Sequence, residues 1–115
     1  MVSTIGNRIS GYRAMWLLVM FDLPVTTSAE RRRARRFHDY LLDEGFTMKQ
    51  FSVYLRYFDS RAKADAAAER VGREVPLEGM VSILFITDKQ FGQMRNFMGR
   101  VPTKAEQKPV QFSLF

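Results

Sequence analysis

Two groups of side chains in this sequence have the types and spacing that suit chemistry on phosphate. The first is a lone carboxylate, Asp22, which closes the apolar run MWLLVMF and is followed by Leu23 and Pro24. The second is the block RRRARR a short way downstream, comprising Arg31, Arg32, Arg33, Arg35 and Arg36. Guanidinium groups bind phosphate bidentately, and a carboxylate can hold a hard cation. Together they suggest a polyanion-binding site that includes a metal ion.

Alternation along a strand places Asp22 with Met20, Leu18 and Trp16, away from Leu17, Val19 and Phe21. If that side faces a second copy of the chain, two Asp22 carboxylates meet near the two-fold axis. Such a pair could bind one Mg²⁺, which takes one or two carboxylates and keeps several waters. Water activated there could attack a phosphodiester, making Asp22 both metal ligand and catalytic residue. The plainer alternative is that an aspartate before Leu-Pro caps a loop or starts a turn.

On a helix, Arg32, Arg35 and Arg36 project opposite Ala34, Phe37 and Leu41, with Arg31 and Arg33 flanking them. Arg13 and Arg56 could extend this surface. Five arginines in the first half of a helix oppose its macrodipole and call for a compensating anion, for which phosphate is the natural choice. The competing reading is a solvated face, partly neutralised by Asp39 and Asp43 at helical spacing. The single histidine, His38, lies at the margin of the apolar stripe and reads as structural. Thr87-Asp88 offers a second carboxylate, although a turn is its simpler role. The aromatic residues of FSVYLRYF are strand formers first and do not make an RNA-stacking motif, and no glycine-rich phosphate loop is present.

These residues must be positioned by one domain, since 115 residues make an ordinary core. The net charge of +6 favours phosphate backbones or anionic surfaces. The absence of cysteine excludes disulfides, zinc knuckles and a thiol nucleophile, and fits a cytoplasmic protein. The apolar run is too short to span a bilayer, so no membrane role is expected. Residues 1–13 read as a flexible leader, 14–99 as the domain, and 100–115 as a linker and terminal strand. Within the domain a first strand ends at Asp22, and a capping box at Thr27–Glu30 opens a helix that Gly45 closes. Residues 46–58 read as a strand bent near Gln50, or a hairpin. A second helix spans Arg61 to Val75, with a stripe of Ala64, Ala68, Val71 and Val75. A strand over Met80–Thr87 follows, then a turn at Asp88-Lys89, with Phe91 to Gly99 ambiguous between strand and helical turn. VQFSLF alternates, pointing Val110, Phe112 and Leu114 one way, and pairs either within its own subunit or with a partner.

That order is α+β: a ferredoxin-like βαββαβ plait with an extra C-terminal strand. Right-handed crossovers put both helices on one side of the sheet, and the other side is apolar and needs a cover. A two-fold homodimer stacking sheet on sheet is the simplest one.

The strand ending in Phe21-Asp22-Leu23-Pro24, the basic helix, the segment Gln50-Phe51-Ser52-Val53-Tyr54 and the strand VSILFITD resemble the CRISPR-associated protein two family. The short apolar tail is similar to those of its type II branch. The resemblance implies a homodimer whose C-terminal strand completes the partner's sheet. It also implies a scaffold that, with the larger integrase subunit (CRISPR-associated protein one), holds double-stranded DNA for insertion into a CRISPR array. Members are also described as Mg²⁺-dependent endonucleases on RNA or DNA, and Asp22 matches the family's metal-site aspartate. The helix arginines match its backbone-contacting surface. A scaffold, a nuclease and, outside this family, a ligand-sensing plait domain are the three readings carried forward.

Overall fold

The computed structural model describes residues 14–100. Arg13, the leader, and the terminal strand with Val110, Phe112 and Leu114 lie outside the described residues. Four strands form one antiparallel sheet: β1 (Met15–Asp22), β2 (Thr47–Gln50), β3 (Val53–Phe58) and β4 (Met80–Thr87), in the order β2-β3-β1-β4. Helices α1 (Ser28–Asp43) and α2 (Arg61–Arg73) are the crossovers, and a short helix α3 (Asp88–Gly92) follows β4. This is the expected plait. Strand β1 lies at its centre because its apolar run has partners on both edges.

Each end of α1 is fixed by its sequence. The Thr27 hydroxyl accepts from the Glu30 amide at 3.1 Å, while a Glu30 carboxylate oxygen accepts from the Thr26 and Thr27 amides at 2.8 and 2.9 Å. Those amides hold the Glu30 carboxyl below its ordinary value. At the other end, Gly45 takes φ +92°, and the Phe46 and Gly45 amides donate to the Leu41 and Leu42 carbonyls. That is a Schellman motif. A side chain at Gly45 would also meet the Arg56 guanidinium, with Nε 3.2 Å from an ideal Cβ.

The core lies between the sheet and the helices. Met15, Leu17, Val19 and Phe21 of β1 alternate into it against Phe37 and Leu41 of α1, Tyr54 and Phe58 of β3, and Ala64, Ala67 and Val71 of α2. Alanines let α2 lie close to the strands. The α2 stripe thus includes Ala67, with Ala68 at its edge, and Val75 lies past the end of the helix at Arg73. Pro76 and the preceding residue's resistance to helical dihedrals shorten the helix.

Of the two readings of residues 46–58, the hairpin is the one observed: the chain reverses at Phe51-Ser52, where Ser52 takes φ +62°, and Gln50 pairs with Val53. Two further expectations are corrected. Asp88-Lys89 does not turn the chain but opens α3, because Thr87 and Gln90 make a second capping box. The ambiguous stretch from Phe91 is therefore the end of a helical turn followed by irregular chain. Lastly, the sheet's open side is partly covered by its own chain. Phe91 stacks on Trp16 with centroids 3.9 Å apart, and the Trp16 indole donates to Asp88 at 2.9 Å. Lys49 donates to Asn96 at 2.6 Å, tying the irregular segment to β2. The part of that side nearer Asp22 stays open, with Leu84 49% and Met80 70% exposed.

Candidate nucleic-acid interface and acidic strand end

Asp22 is the last residue of β1, paired in register with Met80, and its side chain is exposed. It belongs to the open side of the sheet with Trp16, Leu18 and Met20, as alternation predicts. Helix α1 lies on the other side. The acid and the arginine block, close in sequence, therefore belong to different layers of the fold.

Asp22 makes no ion pair among the described residues. Its oxygen donors suit a hard cation, but one chain supplies only this carboxylate: no group of three or more His, Cys, Asp or Glu side chains gathers among the described residues. Asp88 is not a second ligand. It accepts from Trp16, which is six residues back along β1, about 20 Å from Asp22 at roughly 3.3 Å per residue.

The arginine block divides into three. Arg31 turns back and donates to the Val25 and Thr26 carbonyls at 3.2 and 2.9 Å, bracing the loop that leads into α1. Arg32, Arg35 and Arg36 are exposed, and Arg33 is half-buried. These four make no ion pair among the described residues, with Asp39 and Asp43 or with any other carboxylate. The last turn of α1 carries no basic residue to suit the macrodipole, while its first turn carries one acid, Glu30.

Arg56 has a different role from the extension of this surface. It donates to the Glu44 carbonyl, lies 3.6 Å from the Glu44 carboxylate, and stacks over Phe58 at 4.4 Å. Glu44 also takes a two-pronged contact from Arg70 at 2.8 and 3.0 Å and accepts from the Tyr40 hydroxyl at 3.0 Å. The Arg70 hydrogen bonds hold its carboxyl below the usual glutamate range. Burial, with the Glu44 contact, pushes the Tyr40 phenol up to about 12. His38 is hydrogen-bonded through Nδ1 to the Tyr54 hydroxyl, and burial pushes that phenol up to about 12. His38 is thus part of the packing between α1 and β3.

One basic residue was not singled out from the sequence. Arg73 ends α2, and folding brings it to a cleft shared with Arg33, Arg36, Glu74 and Pro76. The only hint was a basic last turn on α2, which by itself also serves the helix dipole.

A four-stranded antiparallel sheet with two crossover helices on one side defines the class of small ferredoxin-like α+β proteins. The sequence profile of the family described as CRISPR associated protein Cas2 matches residues 15–94, well over half of the chain. A CRISPR-associated endoribonuclease Cas2 from Paracidovorax avenae is 49% identical over 107 residues, covering 93% of this chain and 99% of the relative. One of the same description from Flavobacterium psychrophilum is 43% identical, covering 95% of each. A crystal structure of a Cas2 protein aligns with TM-score 0.54 at 26% identity, over 76% of this chain and 88% of the other. That of Streptococcus pyogenes Cas2 at pH 6.5 aligns with TM-score 0.51 at 22% identity, over 73% and 99%, and speaks to the fold alone. The chain belongs to the Cas2 family. No described helix is long and apolar enough to cross a membrane.

Proposed function

We propose that this chain is the DNA-holding small subunit of a CRISPR adaptation complex. As a homodimer it grips double-stranded DNA on the α1 arginines and scaffolds the larger integrase subunit during spacer insertion. One observation carries this reading: Arg32, Arg33, Arg35 and Arg36 make no ion pair among the described residues, although like charges three and four residues apart repel along the helix they sit on. Retaining such charges is explained by a polyanion that meets them in the bound state. The open part of the sheet around Leu84 and Met80 is the surface on which the second copy stacks.

The test is a titration of the full chain with blunt duplex DNA, with and without the integrase subunit, over a range of salt. The wild type should show a steep loss of affinity with salt through counterion release. Affinity unchanged in the Arg32→Ala/Arg35→Ala/Arg36→Ala protein would remove the basis of the proposal.

A second reading is favoured by the relatives, which are described as endoribonucleases. In it the dimer hydrolyses a phosphodiester at the paired Asp22 residues. Mg²⁺ held between the two carboxylates would supply Lewis-acid catalysis there. Asp22 supplies charge and ligand oxygens, and the open sheet side around it supplies an apolar wall. With one acid per chain and no neighbouring general base among the described residues, this is a sparse hydrolytic site. The scaffold reading therefore ranks first. Asp22→Ala separates them: it should lose RNA and DNA hydrolysis while retaining spacer integration. Integration abolished in a variant that still dimerises and binds duplex would instead make Asp22 chemistry the primary function.

A further inference from the structure

Helix α2 carries four cations, Arg61, Lys63, Arg70 and Arg73, and three of them have carboxylate partners. Arg61 pairs with Asp65 at 3.3 Å, Lys63 with Asp59 at 3.1 Å and Arg70 with Glu44 at 2.8 Å. Arg73 makes no ion pair among the described residues, although Glu69 precedes it at the same spacing that joins Arg61 and Asp65. It lies instead on a cleft of about 200 Å³ between the end of α2 and the first half of α1, with Arg33 and Arg36 on the α1 side. Arg33 has the Glu30 carboxylate nearby, but the Thr26 and Thr27 amides already donate to that group. Glu74, exposed, adds one carboxylate to the cleft, and Phe37 and Pro76 add apolar surface.

We infer that this cleft seats one backbone phosphate of the bound duplex between Arg33 and Arg36 of α1 and Arg73 of α2, which makes Arg73 a DNA-positioning residue. The cleft cannot admit a duplex but has room for a single phosphate projecting from one. Guanidinium groups on two helices can meet the oxygens of that phosphate from different sides. Phe37 and Pro76 give the cleft an apolar wall, beside which such contacts are stronger than in open water. The negative end of the α2 dipole also favours an arginine at position 73, but that does not account for its failure to pair with Glu69. A phosphate in the cleft gives Arg73 the partner that the fold withholds. The seat presupposes the duplex-gripping reading of α1 and carries the grip across to a second helix.

The full chain is titrated with blunt duplex DNA over a range of salt. Arg73→Gln should weaken binding about tenfold at low salt and lower the salt slope by about 1, as for one lost phosphate contact. Lys63→Gln, about 15 Å back along α2 and beyond the screening distance of 0.1 M salt, is the control and should stay within about twofold of wild type. Arg73→Lys keeps the charge at the helix end and should restore the slope. Glu74→Gln removes the one repulsive charge beside the phosphate and should tighten binding about twofold. Arg36→Gln and Arg73→Gln combined should depart by more than about twofold from the product of their single effects, because both hold the same phosphate. The seat is ruled out if Arg73→Gln leaves affinity unchanged, if Lys63→Gln costs as much, or if Arg73→Lys does not restore the slope. Weaker binding by Glu74→Gln, or Arg36 and Arg73 effects that simply multiply, would rule it out equally. Failure of the underlying reading looks different: duplex affinity would be indifferent to Arg32→Ala/Arg35→Ala.

Discussion

Arg70 and Arg32 are both guanidinium groups on crossover helices of the same layer, and their surroundings differ in kind. Arg70 is matched atom for atom by the Glu44 carboxylate, with Arg56 and Tyr40 completing the cluster. Arg32 and its neighbours Arg35 and Arg36 stand exposed along the first half and middle of α1 and make no ion pair among the described residues. The first group ties the end of α1 to β3 and α2 and belongs to folding. The second takes no part in such a tie and is the set that the proposed function assigns to DNA. Charge alone does not separate the two; what separates them is whether the fold supplies the counter-ion.

The comparison breaks most visibly if the two groups are removed in turn. Arg32→Ala/Arg35→Ala/Arg36→Ala should lower duplex affinity at low salt by a factor on the order of a hundred and flatten the salt slope by about 2 to 3. Chemical denaturation should find the same protein as stable as wild type, or more stable by up to about 1 kcal/mol. Glu44→Ala should do the reverse, costing about 2 kcal/mol because it leaves Arg70 and the Tyr40 phenol without their acceptor and Arg56 without its counter-ion, with duplex affinity unchanged. A triple variant that unfolds, or a Glu44 variant that loses DNA, would show that the groups are not separable.

Glu44 also gives the clasp a pH dependence. Its native carboxyl is held below the ordinary 4.5, so the folded state binds fewer protons than the unfolded state around that pH. The clasp's contribution is complete above about pH 5 and disappears as pH falls through the depressed native value. Stability curves from pH 7 to pH 3 for wild type and Glu44→Gln should therefore converge at the acid end. A constant offset between them would mean that Glu44 is not held as an anion.

The plait was legible because its signals are local. Seven apolar residues ending at Asp22, the Thr27–Glu30 box, Gly45, and the strand Met80–Thr87 each carry their own boundary. The positions of Ala34, Phe37 and Leu41 in the core followed from helical spacing alone. What escaped depended on contacts distant in sequence. That Thr87-Asp88 starts a helix rests on a capping box with Gln90, but that Asp88 meets Trp16 depends on β1 and β4 lying side by side. The Glu44 cluster joins residues from three elements, so Arg56 looked like a surface cation. Arg73 could not be placed beside Arg33 without the packing of α2 on the sheet. The candidate site was readable as a set of arginines, and the structure sorts its members by partner.

A smaller effect tests the start of α1, where basic residues sit closest to the positive end of the dipole. The Thr27–Glu30 box satisfies amides that would otherwise be orphaned and adds the only acid of the first turn. Thr27→Ala should cost about 1 kcal/mol in denaturation, and the DNA-binding salt slope should stay as in wild type. A change in slope would mean that the cap also sets the spacing of the arginines on DNA.

The smallest effect is the sharpest test, because it compares neighbours. Arg31 donates to the Val25 and Thr26 carbonyls, and Arg32 donates to no protein group among the described residues. Methionine preserves the length and helix propensity of both side chains. Arg31→Met should therefore lose about 0.5 to 1 kcal/mol of stability, as for lost hydrogen bonds to carbonyls, with a weaker effect on DNA than Arg32→Met. Arg32→Met should leave stability unchanged and reduce duplex affinity severalfold. If both variants weaken DNA binding equally and neither changes stability, the Arg31 brace is dispensable and all five arginines form one undifferentiated electrostatic surface.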